Sequence, residues 1–240
     1  MVMKVLIFNS GLGNRMGELT KNTHKSMVRL ESGETILKRQ LRLLDECGMK
    51  EIIITTGPFE EQIKEQCAEF QNLSFTFVKN HLYDQTNYIY SMYLAKEHIK
   101  ENILMLHGDL VFNKRLLEKM LTSHEVSLCL YHEEKTLPEK DFKGRIINDY
   151  LKEVSINIFE NDCYAFQPLY KLSKSHMKAW LDRVEVLIKN GDDKVYAENA
   201  LNEITDQVQI KAMSYKNDYI DEIDTPEDLI RVSKEIQEFE

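Results

Sequence analysis

Short apolar runs alternate with helical patterns through the first half of this 240-residue chain, and this alternation is the strongest constraint on its fold. Strands are predicted at residues 3–8 and at the runs EIIITT, LSFTFV and NILMLHGD. Alternation of this kind is typical of βαβ units and of a mostly parallel sheet covered by helices. The sequence therefore predicts an α/β fold. Because chains of this length with 42% hydrophobic residues commonly stay undivided, we expect one domain over residues 1–240.

The predicted helices begin and end at recognisable residues. Three leucines share one face of a helix at about residues 35–47, and Gly48 follows as a helix-ending residue. Further helices are predicted at residues 59–70, 88–99 and 174–189. A final helix is marked by Thr225, which can cap it, and by Pro226, which suits its first turn.

The pattern changes after about residue 131. The charged segment HEEKTLPEKDFKGR contains a proline and a glycine, which favour an exposed excursion. The segment RIINDYLKEVSINIFE predicts a hairpin, and CYAFQPLYKL predicts another strand. We therefore expect a small insertion at about residues 132–205 within the single domain.

Charge and composition restrict the class of partner. The formal net charge of -9 argues against broad affinity for nucleic acid or an anionic membrane, because both need a basic surface. The apolar stretch at the N-terminus is too short for a signal peptide, and no run approaches the length of a membrane span. The four cysteines are scattered, without the close pairs of a zinc site or a disulfide scaffold. We expect a cytoplasmic protein with small-molecule substrates; the oligomeric state stays open.

A glycine-rich, basic loop follows the first strand. It reads NSGLGNRMGELTKNTHKSMVRL and contains three glycines, four basic residues and one acid, namely Gly11, Gly13, Gly17, Arg15, Lys21, Lys25, Arg29 and Glu18. Glycines let backbone amides approach a polyphosphate, and the local positive charge reverses that of the whole chain. The loop therefore predicts an anionic ligand, although an ordinary glycine-rich turn with solvated basic residues is an alternative at this point.

Two common phosphate motifs do not fit this loop. A Walker A loop ends in Gly-Lys-Ser/Thr, which is absent here. The dinucleotide fingerprint needs glycine at its sixth position, where this sequence has Met16. It also needs an acid at the end of the second strand, where Thr55 and Thr56 stand.

The loop instead resembles the opening motif of the sugar-nucleotidyltransferase family. That motif is a glycine-rich loop with an arginine, then a threonine, then a Pro-Lys pair, and the matching residues are Gly11, Gly13, Arg15, Leu19, Thr20 and Lys25. The segments NHLYDQTNYIYSMYLAKE and YIDEIDTPEDL are similar to segments of cytidylyltransferases that act on phosphocholine or 2-aminoethylphosphonate. The resemblance spans most of the chain. It implies a Rossmann-like three-layer sandwich with a mixed, mostly parallel sheet and an acceptor-binding insertion.

The sequence departs from the family motif at two places. The usual Ala-Ala-Gly opening is Asn9-Ser10-Gly11, which we expect to alter contacts to the nucleotide base. The proline before the motif lysine is His24, which we expect to loosen the placement of Lys25. Neither change removes a charged group.

The resemblance implies transfer of CMP from CTP to a small phosphorylated or phosphonate acceptor, with release of pyrophosphate and with Mg²⁺ as cofactor. Phosphocholine-like compounds, aminoalkylphosphonates, alditol phosphates and amino-acid-derived phosphates are the acceptors that it leaves open, and such products would feed surface polysaccharide or lipid modification. One alternative is a uridylyl- or thymidylyltransferase for a sugar 1-phosphate. Another is a non-catalytic nucleotide-binding module, against which the retained charged residues argue.

The same resemblance implies a role for each candidate residue. Arg15 would hold the β- and γ-phosphates, Lys25 would stabilise charge on the α-phosphate, and Asp109 and Asp224 would bind Mg²⁺, with Glu222 as a substitute. The nucleotide contacts would be Asn9, Ser10, Gly11, Gly13, Asn14, Arg15, Gly57, Asn87 and Ser91, and the acceptor contacts would be Tyr196 and Glu198. Lys25, Arg15 and Asp109 are the candidate catalytic residues.

Simpler interpretations of several residues remain open at this stage. Asp109 follows a strand, where turn acids are common, and Asn87 can cap a helix without touching a ligand. Tyr90 and Tyr93 have the helical spacing of core residues. His107 has no second histidine at ligand spacing, so the sequence predicts a spacer.

Overall fold

The strands predicted in the first half lie side by side in one mixed sheet. The structure, a computed structural model, describes residues 3–240. Its strands are β1 (Met3–Asn9), β2 (Glu51–Thr56), β3 (Ser74–Lys79), β4 (Asn102–His107), β5 (Leu110–Phe112), β6 (Leu128–His132), β7 (Lys143–Ile147), β8 (Tyr150–Ser155), β9 (Cys163–Leu172), β10 (Lys211–Ser214) and β11 (Ile220–Glu222).

The main sheet has the order β3-β2-β1-β4-β9-β6-β10-β8-β7. In the described part of the chain, β8 and β9 run opposite to the other strands of this sheet. The strands β5 and β11 form a separate antiparallel pair. The predicted α/β fold with a mostly parallel mixed sheet is confirmed.

Helices cover both faces of the sheet and make the three layers. They are α1 (Ile36–Glu46), α2 (Glu60–Ala68), α3 (Tyr88–Ala95), α4 (Lys114–Thr122), α5 (Lys174–Lys189), α6 (Ala197–Asn202) and α7 (Pro226–Glu235). Leu6 and Phe8 of β1 pack with α3, α5 and α6, whereas Val5 and Ile7 pack with α1, α2 and α4. The alternation along β1 therefore separates two buried cores. Among residues 3–240, no helix combines the length and apolar character needed to cross a bilayer.

The first helix begins and ends where its sequence signals predict. The Thr35 hydroxyl accepts a hydrogen bond from Lys38 N at 3.0 Å, and Gly48 follows the helix with a φ of 81°. Two helices are shorter than predicted: α2 ends at Ala68, and α3 ends at Ala95 before a 3-10 turn.

The second half contributes more to the sheet than its sequence pattern suggests. The predicted hairpin is β7 and β8, and its turn places Asn148 and Asp149 at φ values of 51° and 67°. The strand β9 lies between β4 and β6. Pro168 falls where the register of β9 against β6 shifts, so its missing N–H leaves no gap in a regular ladder. The span of residues 132–205, predicted as an insertion, thus includes a central strand.

Three short strands and two helices have no counterpart in the sequence predictions. They are β5, α4, α6, β10 and β11. Strands of three or four residues give too few positions for a period of two to be recognised.

The cap of α7 yields a testable prediction. Thr225 Oγ1 accepts from Asp228 N at 3.2 Å, and Asp228 Oδ2 accepts from Thr225 N at 2.9 Å, which completes a capping box. We expect Thr225→Ala to lower the free energy of unfolding by about 1 kcal/mol. The melting temperature, measured by calorimetry, should fall by about 2–4 °C in a chain of this size. The exposed Thr136→Ala is the control; equal melting temperatures in both variants would contradict the capping role.

Candidate active site

A cavity of about 580 Å³ lies at the carboxyl ends of β1 and β4. The loop after β1 forms one wall, and the segment from Tyr83 to Tyr88 forms another. The floor contains Asp109, Glu222 and Asp224. In open α/β sheets this edge is where ligands bind, because the strand ends and helix N-termini converge there.

Gly13 holds the compact shape of the loop after β1. Its φ is 65°, and an added Cβ would lie 2.9 Å from the Lys25 Cβ. Its carbonyl accepts hydrogen bonds from Met16 N at 3.0 Å and from the Thr20 hydroxyl at 2.9 Å. A glycine is therefore required here for both backbone conformation and space.

Lys25 connects the two aspartates of the floor. Its Nζ donates to Asp109 Oδ2 at 2.7 Å and also to Asp224 Oδ1. The second oxygen of Asp224 pairs with Arg15 Nη2 at 2.8 Å. Four side chains that the sequence analysis singled out thus form one ionic cluster.

The elements around the cluster fix both carboxylates. Asp109 lies between β4 and β5, and its carbonyl accepts from Ile223 N at 3.1 Å. Asp224 immediately precedes the cap of α7, and its N–H donates to Asp228 Oδ2 at 3.3 Å. The pairing of β5 with β11 therefore brings the two aspartates to the same edge.

The charges of the cluster follow from burial and mutual contact. Burial opposes the charge of Lys25, but the carboxylates of Asp109 and Asp224 outweigh it and raise the lysine pKa. Burial also opposes ionisation of Asp109, but Lys25 and His107 outweigh it and lower the Asp109 pKa. Burial and the negative charges of Asp109 and Asp224 raise the pKa of Glu222 well above its ordinary value. The surroundings therefore favour the charged forms of Lys25 and Asp109 and the protonated form of Glu222.

The donor set on the floor suits a hard divalent cation. Ligand atoms of Asp141, Glu222 and Asp224 lie within 4.8 Å of one another, and so do those of His107, Asp109 and Glu222. Asp109 Oδ1 is buried without a hydrogen-bond partner among the described residues. Magnesium prefers carboxylate oxygens and needs few protein ligands. The residues present therefore fit Mg²⁺, with Glu222 available to both groups.

Some predicted nucleotide contacts line the cavity and others lie behind it. Those that line it are Asn9, Ser10, Gly11, Gly13, Asn14, Arg15 and Asn87. Ser91 is fully buried, and its hydroxyl lies 2.7 Å from that of Ser10. Gly57 packs so closely that an added Cβ would lie 2.3 Å from the Ser10 carbonyl oxygen. Ser91 and Gly57 thus lie behind Ser10 and support it, and they do not lie on the cavity surface.

Asn87 combines a cavity position with a structural one. Its Oδ1 accepts from Tyr88 N at 2.7 Å at the start of α3. Its own N–H donates to the Asp193 carbonyl at 2.8 Å, and its Nδ2 donates to the Lys194 carbonyl at 3.4 Å. The capping role and the cavity position therefore coexist.

Aromatic rings form the far end of the cavity. The ring of Tyr196 lies 5.0 Å from that of Phe142 and 6.2 Å from that of Tyr88, measured between centroids. Tyr90 and Tyr93 do not line the cavity, and Tyr93 packs against the core. The core position predicted for Tyr93 agrees with its packing, whereas Tyr90 is half-buried and belongs to none of the core clusters of the described residues.

His107 is not the spacer that the sequence predicts. Its ring lines the cavity, lies 4.7 Å from the Tyr88 ring, and has a nitrogen close to the carboxylates of Asp109 and Glu222. Spacing along the chain could not reveal this position, because Glu222 comes from a distant strand.

Glu198, predicted to contact the acceptor, is buried behind the aromatic end. It is 1% exposed, does not line the cavity, and accepts a hydrogen bond from the Tyr170 hydroxyl at 3.0 Å. Its second oxygen has no partner among the described residues. Burial raises the pKa of Glu198 to about 8.

The sequence analysis missed several residues of the acceptor end. Lys140, Asp141, Phe142, Ile156 and Lys194 all line the cavity. Lys140, Asp141 and Phe142 fall in the charged segment HEEKTLPEKDFKGR, which has no recognised motif. The excess of charged residues around Phe142 was the available signal, but it is equally typical of a solvated loop.

Comparisons with known proteins found a family model that matches most of the chain and relatives that match about half of it. A family model described as the MobA-like NTP transferase domain matches residues 5–198. The CMP-5'-(3-aminopropyl)phosphonate synthase of Streptomyces rubellomurinus is 28% identical over 126 residues, which is 52% of this chain and 20% of that protein. The choline-phosphate cytidylyltransferase of Streptococcus pneumoniae is 31% identical over 134 residues, which is 56% of each chain. The matches thus span about half of this chain, and from a fifth to just over half of these relatives.

A solved structure extends the likeness to the whole chain. The structure of CTP:phosphocholine cytidylyltransferase from Streptococcus pneumoniae superposes with a TM-score of 0.81 at 21% identity. It covers 98% of this chain and 100% of its own. At this identity the likeness shows the fold, and the predicted Rossmann-like sandwich is confirmed.

The buried Glu198 yields a pH prediction. Folding raises the pKa of Glu198 from 4.5 to about 8. Between these pH values the acid ionises more readily in the unfolded chain, so the free energy of unfolding falls as the pH rises. Glu198→Gln keeps an oxygen for the Tyr170 hydroxyl and removes the charge. We expect the variant to melt several degrees above the wild type at pH 8 and close to it at pH 5.

Thermal melts at several pH values between 5 and 8 measure this effect. The exposed Glu65→Gln serves as the control, because it removes an acid charge without any burial. A constant difference between Glu198→Gln and wild type across the pH range would contradict the proposed burial effect.

Proposed function

The chain belongs to the MobA-like NTP transferase family, and from that premise we propose that it transfers CMP from CTP to a small phosphorylated or phosphonate acceptor. Pyrophosphate is the second product. The resemblance recognised in the sequence is confirmed by the family match over residues 5–198. The observation that carries the proposal is the cluster of Lys25, Arg15, Asp109 and Asp224 on the cavity floor.

The proposed reaction is a displacement at the α-phosphorus. An oxygen of the acceptor phosphate or phosphonate attacks, and the bond between the α-phosphorus and the bridging oxygen to the β-phosphate breaks. The acceptor oxygen is already ionised at neutral pH, so no strong general base is needed. Neutralising two approaching anions is the main demand on the protein.

Lys25 and Arg15 meet this demand in the proposal. Lys25 stabilises negative charge on the α-phosphate and the incoming oxygen, and Arg15 binds the β- and γ-phosphates. Backbone amides of the loop at Gly11 and Gly13 add donors without side-chain bulk. Both cations already lie at the cavity, which limits the reorganisation that catalysis requires.

Asp109 and Asp224 are the proposed ligands of Mg²⁺, and Glu222 is a substitute ligand. When bound, Mg²⁺ supplies positive charge to phosphate oxygens and withdraws electron density from phosphorus. The unpartnered Asp109 Oδ1 supports this assignment, and so does Glu222, which has ligand atoms within 4.8 Å of those of each aspartate. The family also typically uses a divalent cation.

The preference for CTP rests on the relatives. The two curated relatives and the solved structure described above carry names of CMP or CTP enzymes. We propose that Asn9, Ser10 and Asn87 lie around the base and ribose, with Ser91 and Gly57 holding Ser10 from behind. Uridylyl or thymidylyl transfer to a sugar 1-phosphate is the alternative that the assay must separate.

The acceptor is proposed to bind at the aromatic end. Phe142, Ile156, Lys194 and Tyr196 all come from residues 132–205, which supports the predicted acceptor role of that span within one domain. Rings and carboxylates suit a cationic group on the acceptor. Free cysteines and the use of CTP favour a cytoplasmic enzyme.

Pyrophosphate release tests the proposed function. CTP, UTP, dTTP, ATP and GTP are each combined with phosphocholine, 2-aminoethylphosphonate, glycerol phosphate, ribitol phosphate, phosphorylated amino-acid derivatives and glucose 1-phosphate, with Mg²⁺ present. We expect release with CTP and one non-sugar acceptor. Release only with UTP or dTTP and glucose 1-phosphate would identify the alternative branch, and silence across the panel would favour a binding module.

Two substitutions test the residue roles. Lys25→Ala and Asp109→Ala should each lower kcat by about two orders of magnitude or more, the scale for losing one charge partner of the transition state. Lys38→Ala and Asp45→Ala remove members of surface ion pairs and serve as matched controls. Turnover close to wild type in Lys25→Ala or Asp109→Ala would refute that assignment.

A further inference from the structure

His24 stands where the opening motif of the family has proline, directly before Lys25. Its φ of -69° lies in the range that proline requires, and its ψ of 147° is extended. The histidine therefore keeps the backbone shape that a proline would impose. The residue is 4% exposed, so its imidazole makes its contacts inside the protein.

The imidazole caps the 3-10 turn that carries Lys25. Nδ1 accepts a hydrogen bond from Ser26 N at 3.1 Å and lies 2.8 Å from the Ser26 hydroxyl. The His24 carbonyl accepts from Met27 N at 2.9 Å and closes the same turn. Ser26 is fully buried, so water does not compete for these bonds.

Gln62 of α2 ties the same turn to the helix layer. Its Oε1 accepts from His24 N at 3.2 Å and from the Thr23 hydroxyl at 2.9 Å, and its Nε2 donates to the Asn22 carbonyl at 3.0 Å. A proline could not donate the first of these bonds, because it has no N–H. The expectation that His24 loosens the placement of Lys25 is therefore wrong: the histidine adds a side-chain cap and a backbone anchor.

Lys25 depends on this anchoring because its ammonium must reach two carboxylates from distant parts of the chain. The side chain is long, and fixing it in one arrangement costs rotamer freedom. If the turn that carries Lys25 could also move, backbone entropy would be lost as well each time the ammonium contacts both carboxylates. The capped turn removes that freedom before any substrate binds.

We propose that His24 is a positioning residue that orients Lys25 by capping its turn through Nδ1. The effect on turnover rests on the proposed nucleotidyl transfer, whereas the effect on the lysine itself does not. Burial is the main cause that lowers the pKa of His24, to about 4. The ring is therefore neutral at pH 7, and the hydrogen bond from Ser26 N identifies Nδ1 as its acceptor nitrogen.

A pair of substitutions separates the cap from the bulk of the side chain. His24→Asn places an oxygen near the position of Nδ1, and asparagine is a preferred capping residue. His24→Gln carries the same amide one carbon further out, where it cannot accept from Ser26 N without moving the turn. We expect kcat within about threefold of wild type for asparagine. For glutamine and for His24→Ala, kcat should be lower by a factor of ten or more.

The loss should appear in kcat, with KM for CTP changing less than threefold, because the His24 ring caps the turn of Lys25, although the residue also lines the cavity. The exposed His98→Asn is the control for replacing a histidine. Thermal unfolding verifies that each variant is folded. If His24→Ala does not fold, the asparagine and glutamine pair decides the question.

Lysine ammonium NMR on protein labelled with ¹⁵N-lysine supplies a readout without turnover. An ammonium held between carboxylates exchanges its protons slowly and gives an observable signal, which Lys25→Arg identifies. We expect this signal in wild type and His24→Asn, and its loss or shift in His24→Gln. Equal behaviour of the two variants in NMR and kcat would overturn the proposal. A wild type that is inactive on every substrate but keeps the NMR pattern would refute the proposed function alone.

Discussion

The ionic contact of Lys25 with Asp109 and Asp224 is the point on which the rest of the cavity depends. The three residues come from the loop after β1, the end of β4 and the turn before α7, so the contact forms only when distant parts of the chain have folded together. Each charge would be costly to bury alone. The capped turn at His24 and the capping box at Thr225 hold the two ends of this contact in place.

The same contact determines which partners the cations of the cavity have before a phosphate substrate binds. Lys25 and Arg15 both pair with carboxylates, so under the proposed reaction a triphosphate would replace these carboxylates as their partner. Paired charges pay a smaller desolvation penalty than separate ones would. A chain with a net charge of -9 can thereby keep two cations ready at a site for anions.

Most of the correct predictions of strands, helix ends and site residues came from local sequence signals. The residues that were missed depend on contacts between distant segments. The strands of the first half, the cap at Thr225 and the basic loop follow from periodicity and residue type, and the structure contains them. Asp141 and His107 approach the floor only because a loop and a strand end fold against Glu222. Ser91 has the right helix position for a ligand contact, but its burial behind Ser10 depends on packing that no spacing encodes.

The antiparallel pair of β5 and β11 fixes the spacing of the acids on the floor of the cavity. Its ladder pairs Leu110 with Glu222 and Phe112 with Ile220, and Asp109 and Asp224 lie just beyond the same end of it. The separation of the two acids is thereby set by the hydrogen bonds between β5 and β11, which do not involve the residues between Phe112 and Ile220. The loops in that intervening stretch, which carry Phe142 and Tyr196 of the aromatic end, can therefore change to suit a new acceptor while the spacing of the two acids stays constant.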